Sequence, residues 1–479
     1  MPTRRLCLSA LLALPMALRA QTTSLPLPSG TSDAAALPLP VAQALQQVNL
    51  PPQALAVLVQ EVNNGAQRLA FNTAQPMNPA SVMKLATTAA ALDLLGPAWS
   101  WRTPVWLLGE VERGRLRGSV LIQGRGDPKL TQERLYLLMR RLRAMGVDQI
   151  EGDFILDRAA FEPAAGSAGD FDGEPLRPYN VLPDALLLNL RALMLSFMPD
   201  AAHGVARVGL EPPLEGVRVD AVVPLSNAAC GDWRGVLKAD FADPARLRLA
   251  GRYPLACGER QWPLAYADPR AFDARLLQAL WTEAGGKLRG GVREGRAPAD
   301  APPSFELTSP PLAEVVRDIN KFSNNVMAQQ LFLTLALERQ GSGSVEGARA
   351  VMGNWLLQRL GPEAAAGAVV DNGSGLSRQT RLSAALLGRL LQTAWSAPWM
   401  PELMSSLPIQ GLDGTVKRWN GEPGRAHLKT GSLRDVAAVA GYVLGNSGRR
   451  HVLVALVNHP QASAARPVLD ALLQWTAQD

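Results

Sequence analysis

Ser81 and Lys84 lie three residues apart in Asn-Pro-Ala-Ser-Val-Met-Lys-Leu-Ala-Thr-Thr-Ala-Ala-Ala-Leu-Asp-Leu-Leu-Gly-Pro, residues 78–97. On a helix that spacing sets both side chains on one face, one turn from each other. A hydroxyl and an amine so placed, near the positive end of a helix dipole, can act as a nucleophile and its base. Alone the pair is an ordinary coincidence on a buried helix. The chain carries 41 arginines and only seven lysines, however, and a buried lysine can release its proton where an arginine cannot. Two further stretches offer complementary chemistry. Ser323-Asn324-Asn325 places a hydroxyl and an amide inside an apolar helical pattern, where polar groups are expensive without a purpose. A plain loop between two helices is the alternative there. Lys429-Thr430-Gly431 supplies a cation and a hydroxyl on a strand, with a glycine that lets another backbone approach.

The elements that must position these groups come from both ends of the chain. Pro79 suits a first helical turn and Gly96-Pro97 stops the run. Residues 41–48 read as a short helix. Residues 55–62 and 67–72 read as strands joined by the hairpin turn Asn63-Asn64-Gly65. Near the C-terminus, residues 427–431, 436–444 and 451–458 read as three more strands, followed by a helix over 464–477. Five antiparallel strands with helices on their faces make an α/β (α+β) domain from residues 37–105 and 304–479. Helical texture covers 312–337, interrupted at 320–325, and again 382–395. The intervening 106–303 is expected as a β-rich inserted module of two subdomains. It includes strands at 105–111, 115–123 and 150–156, an irregular stretch at 161–185 and a helix at 268–284. Gly124-Arg-Gly-Asp reads as a turn.

Composition narrows the function classes. A chain of 479 residues exceeds what one core organises. Residues 1–20, with Arg4-Arg5 ahead of an apolar run, read as a secretory signal peptide, and 21–36 as a flexible leader. The apolar run is too short for a membrane span, and no integral span is expected later. Removing Arg4, Arg5 and Arg19 lowers the formal charge from +6 to +3, too mild to argue for nucleic acid. Four histidines without ligand spacing argue against a metal, and no cofactor is expected. Export leaves Cys230 and Cys257, expected to form a disulfide closing a 28-residue loop, with two free buried thiols as the alternative. Such a bond is worth about 3 kcal/mol.

Ser-x-x-Lys, Ser-x-Asn and Lys-Thr-Gly, once each and in this order, resemble the serine acyl-enzyme signature of penicillin-binding proteins and class A β-lactamases. Ser81 and Ser323 are 242 residues apart. That large separation resembles the D-alanyl-D-alanine carboxypeptidase/endopeptidases of peptidase family S13, the class C low-molecular-mass penicillin-binding proteins. Gly124-Arg-Gly-Asp-Pro, Ser309-Pro-Pro-Leu, Asp371-Asn-Gly-Ser-Gly-Leu-Ser and Leu407-Pro-Ile-Gln-Gly-Leu-Asp-Gly-Thr extend the resemblance over nearly the whole mature chain.

The resemblance implies a penicillin-binding transpeptidase-like fold and a periplasmic enzyme acting on peptidoglycan stem peptides, with β-lactams as inhibitors. It implies Ser81 as nucleophile, Lys84 as base, Ser323 as proton relay and Asn325 as a ligand of the substrate amide. Lys429, Thr430, Gly431 and Ser432 would surround the terminal carboxylate, with the backbone N–H groups of Ser81 and Ser432 holding the oxyanion. Asp172 is the candidate for the amine end of the diaminopimelate side chain, with Asp170 or Glu174 as alternatives. A β-lactamase, or a non-catalytic periplasmic peptidoglycan-binding protein, is the rival reading. No Glu-x-x-x-Asn stretch at a suitable distance supports the first, and three intact motifs speak against the second.

Overall fold

The computed structural model describes residues 37–479. The expected signal peptide and leader lie outside the described residues.

A five-stranded antiparallel sheet forms the centre, in the order Ala426–Leu433, Val436–Leu444, Arg450–Asn458, Leu55–Glu61 and Gln67–Phe71. The chain's two ends meet in its middle, where Leu55 pairs with Val457 and Glu61 with His451. The three inner strands, Leu55–Glu61, Val436–Leu444 and Arg450–Asn458, are buried on both faces, which explains why they read as continuous apolar runs rather than alternating ones. Leu55, Val57 and Val59 face a core completed by the helices Leu39–Gln47 and Arg466–Ala477. Ala56 and Leu58 face the opposite core.

That second core is built around the helix Met83–Leu95, in which every residue from Met83 to Leu92 is buried. A helix without a polar face belongs inside a domain. The helices Leu312–Lys321, Asn325–Gln340, Val345–Leu360 and Ala384–Trp395 surround it. Gly96, at φ +85°, ends the central helix as its sequence foretells. Its start differs from expectation. Residues Ala80–Val82 form a 3₁₀ turn and the α-helix begins only at Met83.

Residues 102–308 carry three further sheets. A seven-stranded mixed sheet contains Arg102–Glu112, Arg115–Gln123 and Phe305–Thr308; a five-stranded sheet contains Ala192–Asp200 and Val205–Glu211; a three-stranded one is small. The stretch is not purely β. The helices Gln132–Ala144 and Pro269–Glu283 contribute Leu135, Leu138, Phe272 and Leu276 to its buried cluster. The expected strand over 150–156 is two short ones, Gln149–Ile150 and Phe154–Asp157, separated at Glu151-Gly152. Cys230 and Cys257 are disulfide-bonded.

The stretch docks onto the Asn325 helix through Gln330. Its amide donates to the carbonyls of Gly126 (3.3 Å) and Asp184 (2.9 Å) and accepts from Asp184 N–H (2.9 Å). Behind that contact, Arg158 and Arg191 each pair with both Asp184 and the fully buried Asp273. Among the described residues, no helix is long and apolar enough to cross a membrane.

Candidate active site

The turn that carries Ser81 is held from below. Asn78 and Asn458 clamp each other: Asn78 N–H donates to Asn458 Oδ1 (2.7 Å) and Asn458 Nδ2 donates to Asn78 O (2.9 Å). Asn78 Oδ1 then accepts from Ala80 N–H (2.9 Å), and Ala80 adopts φ +45°. A non-glycine residue in that region carries strain of order 1–3 kcal/mol, which surrounding contacts must offset. This turn leaves Ser81 partly exposed at the head of a buried helix.

One turn on, Lys84 is completely buried. Its Nζ lies 2.8 Å from Ser81 Oγ, 2.7 Å from Asn325 Oδ1 and 2.6 Å from the carbonyl oxygen of Ser374. Burial, reinforced by the nearby charge of Lys429, lowers its pKa well below the usual lysine value.

The Ser323 segment is a three-residue break between two helices, Phe322 to Asn324. The first helix ends at Lys321, Ser323 turns at φ +56°, and Asn325 already belongs to the next helix. Asn324 caps that helix, its Oδ1 accepting from Met327 N–H (3.0 Å). An aspartate would cap equally well, so Asn at the middle position leaves the geometry intact. Two of the polar residues in this apolar pattern are buried structural anchors. Asn320 donates to Thr88 and Ser406, and Lys321 pairs with Asp413 at 2.6 Å.

Lys429 lies on the edge strand Ala426–Leu433. It is fully buried, donates to Ser323 Oγ (2.9 Å) and Thr430 O (2.7 Å), and burial lowers its pKa to about 7. Thr430 Oγ1 shares a hydrogen bond with Thr415 Oγ1 (2.7 Å), and Ser432 is exposed beyond it. Gly431 is required by close approach. A Cβ there would stand 2.5 Å from Pro79 O and 3.0 Å from Ser81 N. The strand therefore runs directly against the Ser81 turn.

The structure thus brings together two hydrogen-bonded groups, Ser81–Lys84–Asn325 and Ser323–Lys429, with Thr430, Gly431 and Ser432 alongside. Sequence reasoning missed several supports. Ser374 acts through its backbone carbonyl, which no side-chain motif announces. The Gly-rich turn around it was the only signal, and Gly375, at φ +77°, lies where a Cβ would stand 1.9 Å from Ala80 O. Asn78, Asn458, Asp413 and Thr415 were also missed, because their partners are distant in the chain.

Asp172 sits in the irregular stretch, and nothing connects it directly to Ser81. Its carboxylate accepts from Glu174 N–H (3.0 Å), Asn180 Nδ2 (2.7 Å) and Tyr179 Oη (2.9 Å). Burial works against its charge, but these bonds outweigh it and hold the carboxyl below the usual range. The neighbouring Phe171 ring lies under the Arg378 guanidinium at 4.8 Å, and Arg378 bonds Asp435 just past the Lys429 strand (2.6 Å). Asp170 is occupied by Ser167 in its own turn. Among the described residues, no group of three or more His, Cys, Asp or Glu side chains is placed to hold a metal ion.

Residues 38–479 match the D-Ala-D-Ala carboxypeptidase 3 (S13) family. The chain belongs to that family. The D-alanyl-D-alanine carboxypeptidase of Actinomadura sp. (strain R39) is 30% identical over 434 residues, covering 85% of this chain and 78% of that relative. The crystal structure of penicillin binding protein 4 (dacB) from Haemophilus influenzae has the same fold, with a TM-score of 0.74 at 22% identity over 92% of this S13 chain and 99% of the other. A penicillin G acylated predatory endopeptidase from Bdellovibrio bacteriovorus, solved with an immunity protein, gives a TM-score of 0.50 at 16% identity, covering 88% and 90% of the two chains. The family expected from three short motifs is therefore the family of the whole described S13 chain.

Proposed function

We propose that this S13 protein is a periplasmic serine D,D-carboxypeptidase and endopeptidase of peptidoglycan that works through an acyl-enzyme on Ser81. The observation that carries the reading is the environment of Lys84. As a neutral amine it has two N–H groups and one lone pair. The two carbonyl oxygens, Asn325 Oδ1 and Ser374 O, take the N–H groups, which leaves the lone pair facing the Ser81 hydroxyl. Burial supplies the lowered pKa that a general base at neutral pH requires.

Ser81 Oγ attacks the carbonyl carbon of the penultimate D-alanine while its proton passes to Lys84. The carbonyl oxygen becomes an oxyanion, received by the backbone N–H groups of Ser81 and Ser432. The closeness of Gly431 to Ser81 N supports this pairing. Ser323 Oγ accepts from Lys429, so its own proton is free to reach the departing amine as the C–N bond breaks. Lys84 returns the proton it took from Ser81 to the Ser323 oxygen, so that both groups regain their starting forms. Lys429, Thr430 and Ser432 receive the terminal carboxylate, Thr415 fixing the Thr430 hydroxyl. Asn325 Nδ2, with its oxygen committed to Lys84, is left to bond the substrate amide. Water then hydrolyses the ester.

Asp172 is the favoured acidic ligand for the amine end of diaminopimelate. It stays charged, and Phe171 beside it ties its loop to Arg378. β-Lactams acylate Ser81 because their ring imitates the D-alanyl-D-alanine end. The catalytic part comprises residues 37–105 and 304–479, with 106–303 as the inserted module, after export directed by residues 1–20. Purified monomeric pentapeptide muropeptides test the reading. D-Alanine release by the wild type and none by Ser81→Ala or by a folded Lys84→Arg supports it; turnover retained in Lys84→Arg refutes the base.

A further inference from the structure

The helix Leu312–Lys321 buries Leu312, Val315, Val316 and Ile319 in the core. Continuing that stripe by three residues predicts Phe322 inside as well. Instead the helix stops, and Phe322 is 66% exposed. Leu412 is 54% exposed on a second segment. The two segments are joined at the residues adjacent to these. Lys321 and Asp413 form an ion pair in which the Lys321 side chain is only 4% exposed. Gly414 lies so close that a Cβ there would stand 2.8 Å from Lys321 O.

Single exposed apolar residues are common. These two differ in what stands next to them. Phe322 precedes Ser323, the group that serves the departing amine. Leu412 is three residues before Thr415, whose hydroxyl holds that of Thr430 at the position of the departing carboxylate. By chain position both residues neighbour groups assigned to the leaving-group half of the site. The two substrates of the reading above differ in that half alone. In a terminal D-alanine the leaving group carries a methyl. In a cross-link it is the amine-bearing end of a diaminopimelate, which carries a trimethylene chain and the acceptor peptide instead.

We infer that Phe322 and Leu412 form an apolar lip that receives the trimethylene chain of the acceptor diaminopimelate, and so select cross-linked over monomeric substrate. The inference rests on the proposed D,D-peptidase chemistry and adds no step to it. Burying the extra methylenes favours the cross-link, and losing both side chains removes roughly tenfold of that preference.

The test measures kcat and KM for Phe322→Ala, Leu412→Ala and the double variant, on cross-linked muropeptide dimers and on pentapeptide monomers, together with the rate of penicillin acylation. The double variant is expected to lose roughly tenfold in kcat/KM on dimers, with monomer hydrolysis and acylation within about twofold of wild type. Phe322→Leu should retain most of the dimer activity. Equal losses on dimer and monomer, or an unchanged dimer rate, overturn the inference. A wild-type enzyme that is acylated and trims monomers yet leaves dimers intact overturns it too, while the reading of the site stands. A wild-type protein inert to penicillin and to both substrates defeats that reading, and the lip with it.

Discussion

Lys429 and Lys84 are both fully buried, and the charge of Lys429 adds to burial in driving Lys84 toward its neutral form. Removing a neighbouring positive charge raises the pKa of an amine. With Lys84 as the proposed base, the rising limb of the pH profile reports loss of its proton, so in Lys429→Met that limb should move to higher pH while the overall rate falls. The pH dependence of penicillin acylation checks this. A limb that stays in place, or moves down, contradicts the coupling.

Gly431→Ala places a methyl group between the edge strand and the nucleophile turn, 2.5 Å from Pro79 O and 3.0 Å from Ser81 N. The strand must withdraw, and the Ser432 N–H withdraws with it. Loss of one oxyanion donor costs on the order of 10²–10³ in rate. Stopped-flow acylation should show that loss, with a circular dichroism spectrum like that of the wild type.

Much of this site was legible because its chemistry sits in contiguous motifs. Ser81 and Lys84 are three residues apart, on a 3₁₀ turn and the α-helix it leads into, and Lys429 through Ser432 share a strand. The central sheet was legible for a related reason: its three inner strands are apolar on both faces, and the Asn63-Asn64-Gly65 turn marks one hairpin. Sequence reading failed where the third dimension supplies the meaning. The helix Gln132–Ala144 has a mean hydropathy lowered by its arginines, which conceals the buried line of Leu135, Leu138, Met139 and Leu142. The helix Val345–Leu360 was passed over, its small and polar residues diluting the pattern. Lys321 gave no hint of Asp413, 92 residues away, and Ser374 contributes only a carbonyl.

Asp413→Asn breaks the ion pair that joins the Ser323 break to the Thr415 segment. Lys321 is left with its charge buried, while Asp413 itself is partly exposed, which moderates the effect. A loss of about 1–3 kcal/mol is expected in chemical denaturation, with acylation slowed roughly tenfold as Ser323 and Thr430 lose their bracing. Wild-type stability in this variant contradicts the assigned role.

Replacing Cys230 and Cys257 together by Ser removes the disulfide from a region remote in sequence from every motif. A stability loss of about 3 kcal/mol is expected, read as a lower midpoint in thermal unfolding. Penicillin acylation should be unchanged below that midpoint. A matching loss of acylation ties the stretch to the chemistry more closely than its contacts do.

The central claim is that Ser81, set against the amine of Lys84, is the nucleophile. Intact-mass analysis after incubation with a penicillin tests it most directly. One stable adduct is expected on the wild-type protein, mapped to the peptide containing Ser81, and none on Ser81→Ala. An unlabelled wild type, or a normal adduct on Ser81→Ala, contradicts it.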